Sequence, residues 1–237
     1  MKPVAIFRHA RSEGPAYFAT YLDRRGIPWK LFTLDEGRKV PRDVRKFTGL
    51  AFMGGPMSVN DEHLPWLKAE LELVREAVRN DVPMIGHCLG GQLMSKGLGG
   101  EVTRTKVKEI GWGEVTVEDN GVARAWFGPV EGFESFHWHG ETFTNPPGAT
   151  RVLQNEHCGN QAYALGKHSG MQCHVEMTEE MVRAWCKGGA KEIRESKKSP
   201  GVQSPEKIEK NLGVRIAALH KIADRLYERW VEGLARG

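Results

Sequence analysis

The amino-acid sequence predicts an α/β fold: an open, mostly parallel sheet flanked by helices, with an antiparallel accessory portion and a carboxy-terminal helix. Three features predict it. Up to Gly100, short apolar runs alternate with amphipathic stretches at helical spacing, the pattern that builds a parallel sheet covered on both faces. Beyond Gly100 the segments read as extended, with few helices between them, which is the texture of antiparallel pairing. The chain then closes with Ile208, Leu212, Ile216, Leu219, Ile222, Leu226 and Trp230 at three- and four-residue spacing, one long amphipathic helix.

Taken in order, residues 3–7 form the first expected strand. A helix is expected over 13–25, with Tyr17, Phe18, Tyr21 and Leu22 at helical spacing and Gly26 as its stop. Strands follow at 29–34 and 48–53, the second running into Gly54-Gly55-Pro56. Residues 66–78 place Leu67, Leu71, Val74 and Val78 on one helical face, and 82–87 is another apolar strand. In the second half, 101–106, 113–117, 133–139, 150–155 and 161–165 read as extended. A short helix over 178–186 has Thr178 as its cap and Glu179 and Glu180 in its first turn, where the helix dipole favours acids. Three spans result: a domain over 1–186, a flexible basic connection over 187–205 rich in Lys, Ser, Gly and Pro, and an amphipathic helix over 206–237 that packs on the domain or on a partner.

Composition narrows the classes of function. The chain has 237 residues, 40% hydrophobic and 27% charged, with a net charge of +4, enough to bury a core and too weakly basic to demand nucleic acid. No apolar run approaches the roughly 18 residues needed to span a bilayer, and the first residues are too quickly charged for a signal peptide. A cytoplasmic protein is expected. Its four cysteines, Cys88, Cys158, Cys173 and Cys186, are then free thiols in a chain large enough to fold without staples.

The stretch Met84-Ile85-Gly86-His87-Cys88-Leu89-Gly90-Gly91-Gln92 is a strand ending in a glycine-flanked cysteine that opens a helix. A residue in such an elbow is often strained, and flanking glycines let strand and helix pass closely around it. Unpaired N–H groups and the positive dipole end at the helix start favour a thiolate there, and the Leu89 amide is a natural oxyanion donor. By itself Cys88 could equally be a small buried residue at a tight turn. His174-Val175-Glu176 supplies what that reading lacks. Residues two apart at a strand end face one side, so an imidazole and a carboxylate can point together at the cysteine as a Cys–His–Glu relay.

The order Gly86-x-Cys88-x-Gly90-x-Gln92, followed far downstream by His174-x-Glu176, resembles the class I glutamine amidotransferase signature. Phe52-Met53-Gly54-Gly55-Pro56-Met57-Ser58 resembles that family's glycine-rich oxyanion strand, and Phe136-His137-Trp138-His139-Gly140-Glu141 its substrate-pocket segment. Within residues 2–185 the chain looks most like the stand-alone group related to the glutaminase half of GMP synthases. The resemblance implies a flavodoxin-like sheet and hydrolysis of the glutamine side-chain amide. Cys88 would form a γ-glutamyl thioester, His174 would protonate the departing ammonia and then activate water, and Glu176 would orient His174. The Gly55 and Leu89 amides would form the oxyanion hole, with Gln92, Trp138 and His139 lining the glutamine pocket. No cofactor and no metal are implied. His87 and Glu141 depart from the family, which more often has an aliphatic residue and Asp there; both bear on pocket shape and substrate. The family usually hands its ammonia to a synthetase, and no Ser-Gly-Gly-x-Asp-Ser loop for ATP is present. A separate synthetase or acceptor protein is therefore the expected partner, with the carboxy-terminal helix as its dock and a homodimer as a further arrangement.

Rival readings use the same residues. A γ-glutamyl peptide or amine hydrolase would need the same three residues and no synthetase. A retired binding or regulatory protein would have no physical reason to keep all three. His137 and His139 can be drawn with His157-Cys158 and Cys173-His174 as a zinc site, but the spacing matches no common zinc pattern and adjacent strand residues point to opposite faces. Gly54-Gly55-Pro56-Met57-Ser58 lacks the Gly-Lys-Ser/Thr ending of a phosphate loop. Arg8-His9-Ala10-Arg11 lacks the glycine of a phosphatase-like Arg-His-Gly motif, which leaves His9 a loop residue. Of the tryptophans, only Trp138 earns a site role by its neighbours.

Overall fold

A computed structural model describes residues 1–234. Its parallel half is built from β1 (Val4–Arg8), α1 (Ala16–Arg24), β2 (Trp29–Thr33), β3 (Gly49–Phe52), α2 (Leu67–Arg79), β4 (Met84–His87) and α3 (Leu89–Gly97). β1 lies between β2 and β3, β3 pairs with β4, and all three pairings are parallel. Val4, Ala5, Ile6 and Phe7 are wholly buried, as expected for a strand covered on both faces. One face packs Phe18, Tyr21 and Trp230 against the sheet; the other packs Phe7, Phe52 and Val74.

The second half holds β5 (Val102–Val117), α4 (Gly121–Phe127), β6 (Gly132–Phe143), β7 (Thr150–Gln154), β8 (Ala162–Leu165), β9 (His168–Met171) and α5 (Glu179–Gly188). The sheet order continues from β4 through β9, β8 and β7 to β5, with β6 paired antiparallel to β5. β9 runs parallel to β4 and antiparallel to β8, so it joins the two halves into one ten-stranded sheet. Parallel pairs from β2 to β9 and antiparallel pairs from β9 out to β5 and β6 agree with the predicted open α/β class.

Several elements differ from expectation. Residues 101–106 and 113–117 are two ends of the single strand β5, whose register against β6 shifts between Arg104 and Glu109. His-Ser-Gly-Met is a poor strand sequence, yet β9 is buried throughout beside β4; sheet position overrides local propensity. α4 is capped by Asn120, whose side chain accepts from the Ala123 amide.

The stretch 187–205, expected to be a flexible connection, carries α6 (Ala190–Ser196) and β10 (Gly201–Val202), with α7 (Pro205–Glu209) opening at its end. β10 pairs with β5, and the Gln203 side chain bonds both the N–H and the carbonyl of Trp112. Those bonds satisfy an edge that β5 would otherwise leave open. Of the expected 206–237 helix, α8 (Leu212–Glu232) supplies the long part, and residues 235–237 lie outside the described residues. Its apolar stripe faces the body of the molecule, with Leu226, Tyr227 and Trp230 fully buried. Tyr17 and Tyr21 of α1 donate their hydroxyls to Asp224 and Glu228 at 2.8 and 2.7 Å. No helix among the described residues is long and apolar enough to cross a membrane.

Candidate active site

β4 ends at His87, Cys88 turns the chain, and α3 begins at Leu89. Cys88 has φ 50° and ψ −110°, a backbone conformation that costs a non-glycine residue on the order of 1–3 kcal/mol and persists only where its surroundings hold it. Its N–H donates to the Met171 carbonyl of β9 at 2.8 Å. Close packing holds the rest of the elbow: a Cβ on Gly90 would stand 2.0 Å from the Phe52 carbonyl oxygen, and one on Gly86 would stand 2.5 Å from the Gly90 carbonyl carbon. Only glycine lets α3 pass this near to β3 and β4. The Leu89 amide lies in the first turn of α3, where no helical carbonyl can satisfy it.

His174 and Glu176 follow β9, and the His174 amide bridges to the Phe136 carbonyl of β6 at 2.8 Å. His174 Nδ1 and Glu176 Oε1 are 2.6 Å apart, and both residues are almost fully buried. Burial resists charge on His174, but the Glu176 carboxylate and the Cys88 sulfur beside it raise its pKa well above the ordinary value. Burial likewise resists charge on Glu176, yet the His87 and His174 imidazoles that face it hold its pKa down to about 2. The structure therefore brings Cys88, His174 and Glu176 together, with the imidazole biased toward imidazolium.

His87 takes part where sequence reasoning left it open. Its Nε2 lies 3.2 Å from the Tyr227 hydroxyl of α8 and 3.8 Å from Glu176 Oε2. Trp185 does so too: its indole meets the His174 ring edge-on at 5.0 Å, and its Nε1 donates to the Ser12 carbonyl at 2.8 Å. His9 lies in the loop after β1, as expected, but is buried, with Nδ1 2.9 Å from the Met53 carbonyl and Nε2 2.9 Å from Glu70 Oε2. It pins the strand end that leads to Gly54 and Gly55. Such contacts across 44 and 61 residues leave no local signal in the sequence.

A cavity of about 770 Å³ opens over Cys88, within the range of small-molecule sites. Gly55, Gln92, Trp138 and His139 line it, as do Glu13, Arg104 and Glu192. Gln92 donates to the Gln172 side-chain oxygen at 3.1 Å, and Gln172 in turn donates to Cys88 Sγ at 3.5 Å. Trp138 Nε1 donates to Glu192 of α6 at 2.8 Å, and Lys108 pairs with the same carboxylate, so a stretch whose composition suggests a mobile connection forms one wall. The bulge in β5 turns Arg104 and Lys108 toward this cavity.

The zinc drawing fails in its cysteine half: His137 and His139 converge instead with Glu109, their ligand atoms all within 4.8 Å of one another. Hydrogen bonds already account for this carboxylate. Asn155 and Gln161 donate to its two oxygens at 2.6 and 3.0 Å, and His139 Nε2 lies 3.2 Å from Oε2. Burial works against its charge, yet the His139 hydrogen bond and the neighbouring His137 keep its pKa at about 2.

An open α/β sheet with a cysteine elbow at the carboxyl edge of a central strand, facing a buried His–Glu pair, defines a family that comparison identifies directly. The sequence model of Glutamine amidotransferase class-I matches residues 17–183, and the chain belongs to that family. It is 29% identical over 196 residues to the glutamine amidotransferase-like protein YfeJ of Salmonella typhimurium, covering 79% of this chain and 81% of that one. It is 32% identical over 143 residues to one subunit of the glutamine-hydrolyzing GMP synthase of Sulfolobus acidocaldarius, covering 59% of this chain and 72% of that one. A match to the glutamine-hydrolyzing GMP synthase of Lactobacillus acidophilus, at 34% identity, covers 54% of this chain and only 24% of that protein. Among solved structures, a glutamine amido transferase from Methylobacillus flagellatus superposes with a TM-score of 0.97 at 45% identity, covering 100% of this chain and 97% of that one. A glutamine amidotransferase from Thermotoga maritima gives 0.87 at 28%, covering 97% and 98%.

Proposed function

We propose that this protein hydrolyses the side-chain amide of glutamine through a Cys88 γ-glutamyl thioester and releases ammonia for a separate acceptor. The observation that carries the reading is the strained Cys88 elbow beside a His174 imidazole that Glu176 holds by a 2.6 Å contact. A raised His174 pKa supports an imidazolium beside the Cys88 sulfur. The sulfur attacks the γ-carbonyl, negative charge on its oxygen meets the Leu89 and Gly55 amides, and His174 protonates the nitrogen as the C–N bond breaks. His174 then takes a proton from water, which attacks the thioester and frees glutamate. Oxyanion donors of this kind contribute about 3–4 kcal/mol each to the transition state.

Gln92, Trp138 and His139 hold the glutamine backbone end in this reading, since all three line the cavity beyond Cys88. The acceptor is a separate synthetase protein, and this part of the reading rests on the likeness to the Sulfolobus GMP synthase chain. A second reading, hydrolysis of γ-linked peptides or amines, draws on the extent of the cavity from Cys88 out to Ala184 and Gly188.

The test is incubation with 6-diazo-5-oxo-norleucine, peptide mass spectrometry of the adduct, and ammonia release from glutamine in parallel. Adduct at Cys88 with ammonia release is expected, and Cys88→Ser should lower turnover by at least about a thousandfold. Ammonia release that survives Cys88→Ser would sink the assignment; turnover of γ-glutamyl amines without turnover of glutamine would select the second reading.

A further inference from the structure

The loop between β1 and α1 carries an acid that the triad does not use. Glu13 and His174 both flank Gly54: a Cβ there would lie 2.1 Å from Glu13 Oε2 and 3.2 Å from His174 Cε1. Glu13 and Cys88 line the same cavity, and among the described residues the Glu13 side chain has no hydrogen-bond or ion-pair partner. An unpaired carboxylate here is costly, because burial disfavours its charge.

The loop is fixed in place. Trp185 donates to the Ser12 carbonyl at 2.8 Å, the Glu13 amide donates to Ala10 at 3.0 Å, and the Tyr17 amide donates to the carbonyl of Glu176 at 3.0 Å. Ala16, between the last two, has φ 41°, a conformation that L side chains rarely adopt and that surrounding structure must enforce. Thus the loop is tied to the triad residue itself and to the tryptophan packed on His174. Its carboxylate lies beside Gly54, which His174 also flanks, and it lines the same cavity as Cys88, Gln92, Trp138 and His139.

We propose that Glu13 is a specificity-determining residue whose carboxylate accepts hydrogen bonds from the nitrogen leaving the γ-carbonyl, so that the site selects γ-glutamyl amides with N–H-bearing leaving groups. The inference rests on the thioester reading above. In that step the Sγ–C bond forms, the C–N bond breaks and the His174 proton passes to nitrogen. Glu13 gives up no proton and takes none; it orients the departing ammonia or primary amine and leaves it neutral. An ester of the same γ-carbonyl offers Glu13 no N–H group, which separates its role from a merely structural one.

The experiment compares the full-length protein with Glu13→Gln and Glu13→Asp on glutamine and on glutamate γ-methyl ester. Glu13→Gln should lower kcat for glutamine about tenfold, the scale of one charge-assisted hydrogen bond, and leave ester turnover within about twofold of wild type. Glu13→Asp should restore part of the loss. Burial lifts the Glu13 pKa to about 7, with His174 and His9 opposing the rise and Glu176 and Glu192 adding to it. Because the ionised form is the acceptor, wild-type activity on glutamine should climb with pH through that region, and this limb should be missing in Glu13→Gln.

Equal losses on amide and ester, or an unchanged pH profile, would overturn the proposal while leaving the thioester reading intact. A wild-type protein that turns over neither compound would remove the thioester reading, and this inference with it.

Discussion

Glu109 shows how one side chain can be both buried and ionised. Its oxygens accept from Asn155 and Gln161 and face His139, and a carboxylate satisfied in this way keeps its charge against desolvation. A folded-state pKa of about 2, below the ordinary 4.5, means its contribution is complete above the unfolded value and is lost as pH falls toward 2. That contribution is on the order of 3 kcal/mol. Chemical denaturation should therefore find wild type losing stability faster than Glu109→Gln as pH drops from about 5 to 2. Parallel curves would show that the shift is absent. Residue-scale features divided sharply in their legibility. Cys88, His174 and Glu176 could be picked out from the sequence because glycine framing and a two-residue spacing are local patterns. Glu13, Glu109, His87 and Trp185 could not, since each acquires its neighbours only through pairings made by distant strands and helices.

At the level of the element, α3 depends on having no side chain where it crosses β3. Alanine at position 90 would set a Cβ 2.0 Å from the Phe52 carbonyl oxygen and 2.6 Å from its carbonyl carbon; backbone cannot swing aside as a flexible side chain can. Gly90→Ala should cost at least about 1–3 kcal/mol, read as a lower melting temperature, and should lower the rate of Cys88 labelling in the protein that remains folded. A variant that melts and labels like wild type would contradict the packing described here. Elements were legible where their own sequence matched their place. β1 fulfils both propensity and pattern; α2 forms as expected but turns Leu67, Leu73, Val74 and Ala77 inward, leaving Leu71 half-buried and Val78 exposed. β9 and β10 do not: one is a glycine- and histidine-bearing strand made by its neighbours, the other a two-residue pairing that closes the edge of β5.

Across the whole molecule, α8 ties the end of the chain to its beginning and to the candidate site. Phe18 and Trp230 meet at 5.5 Å, and a Cβ on Gly49 would run into the Trp230 ring. The long apolar spacing made this helix legible, but the sequence carried no sign that it would lie against α1 instead of a partner. Trp230→Ala should destabilise the protein by about 3–5 kcal/mol, measured by chemical denaturation. A loss below about 1 kcal/mol would mean the helix is not integral to the core. The Tyr227–His87–Glu176 contacts add a second consequence of the same packing: α8 belongs to the scaffold behind the His–Glu pair.

The edge-on contact of Trp185 with His174 also gives the molecule an optical property. An indole excited beside an imidazolium is quenched by electron transfer to that ring, and it emits more strongly once the ring is neutral. In the proposed reaction thioester formation takes a proton off His174, so the emission of this one indole should follow the chemistry at Cys88 without any added dye.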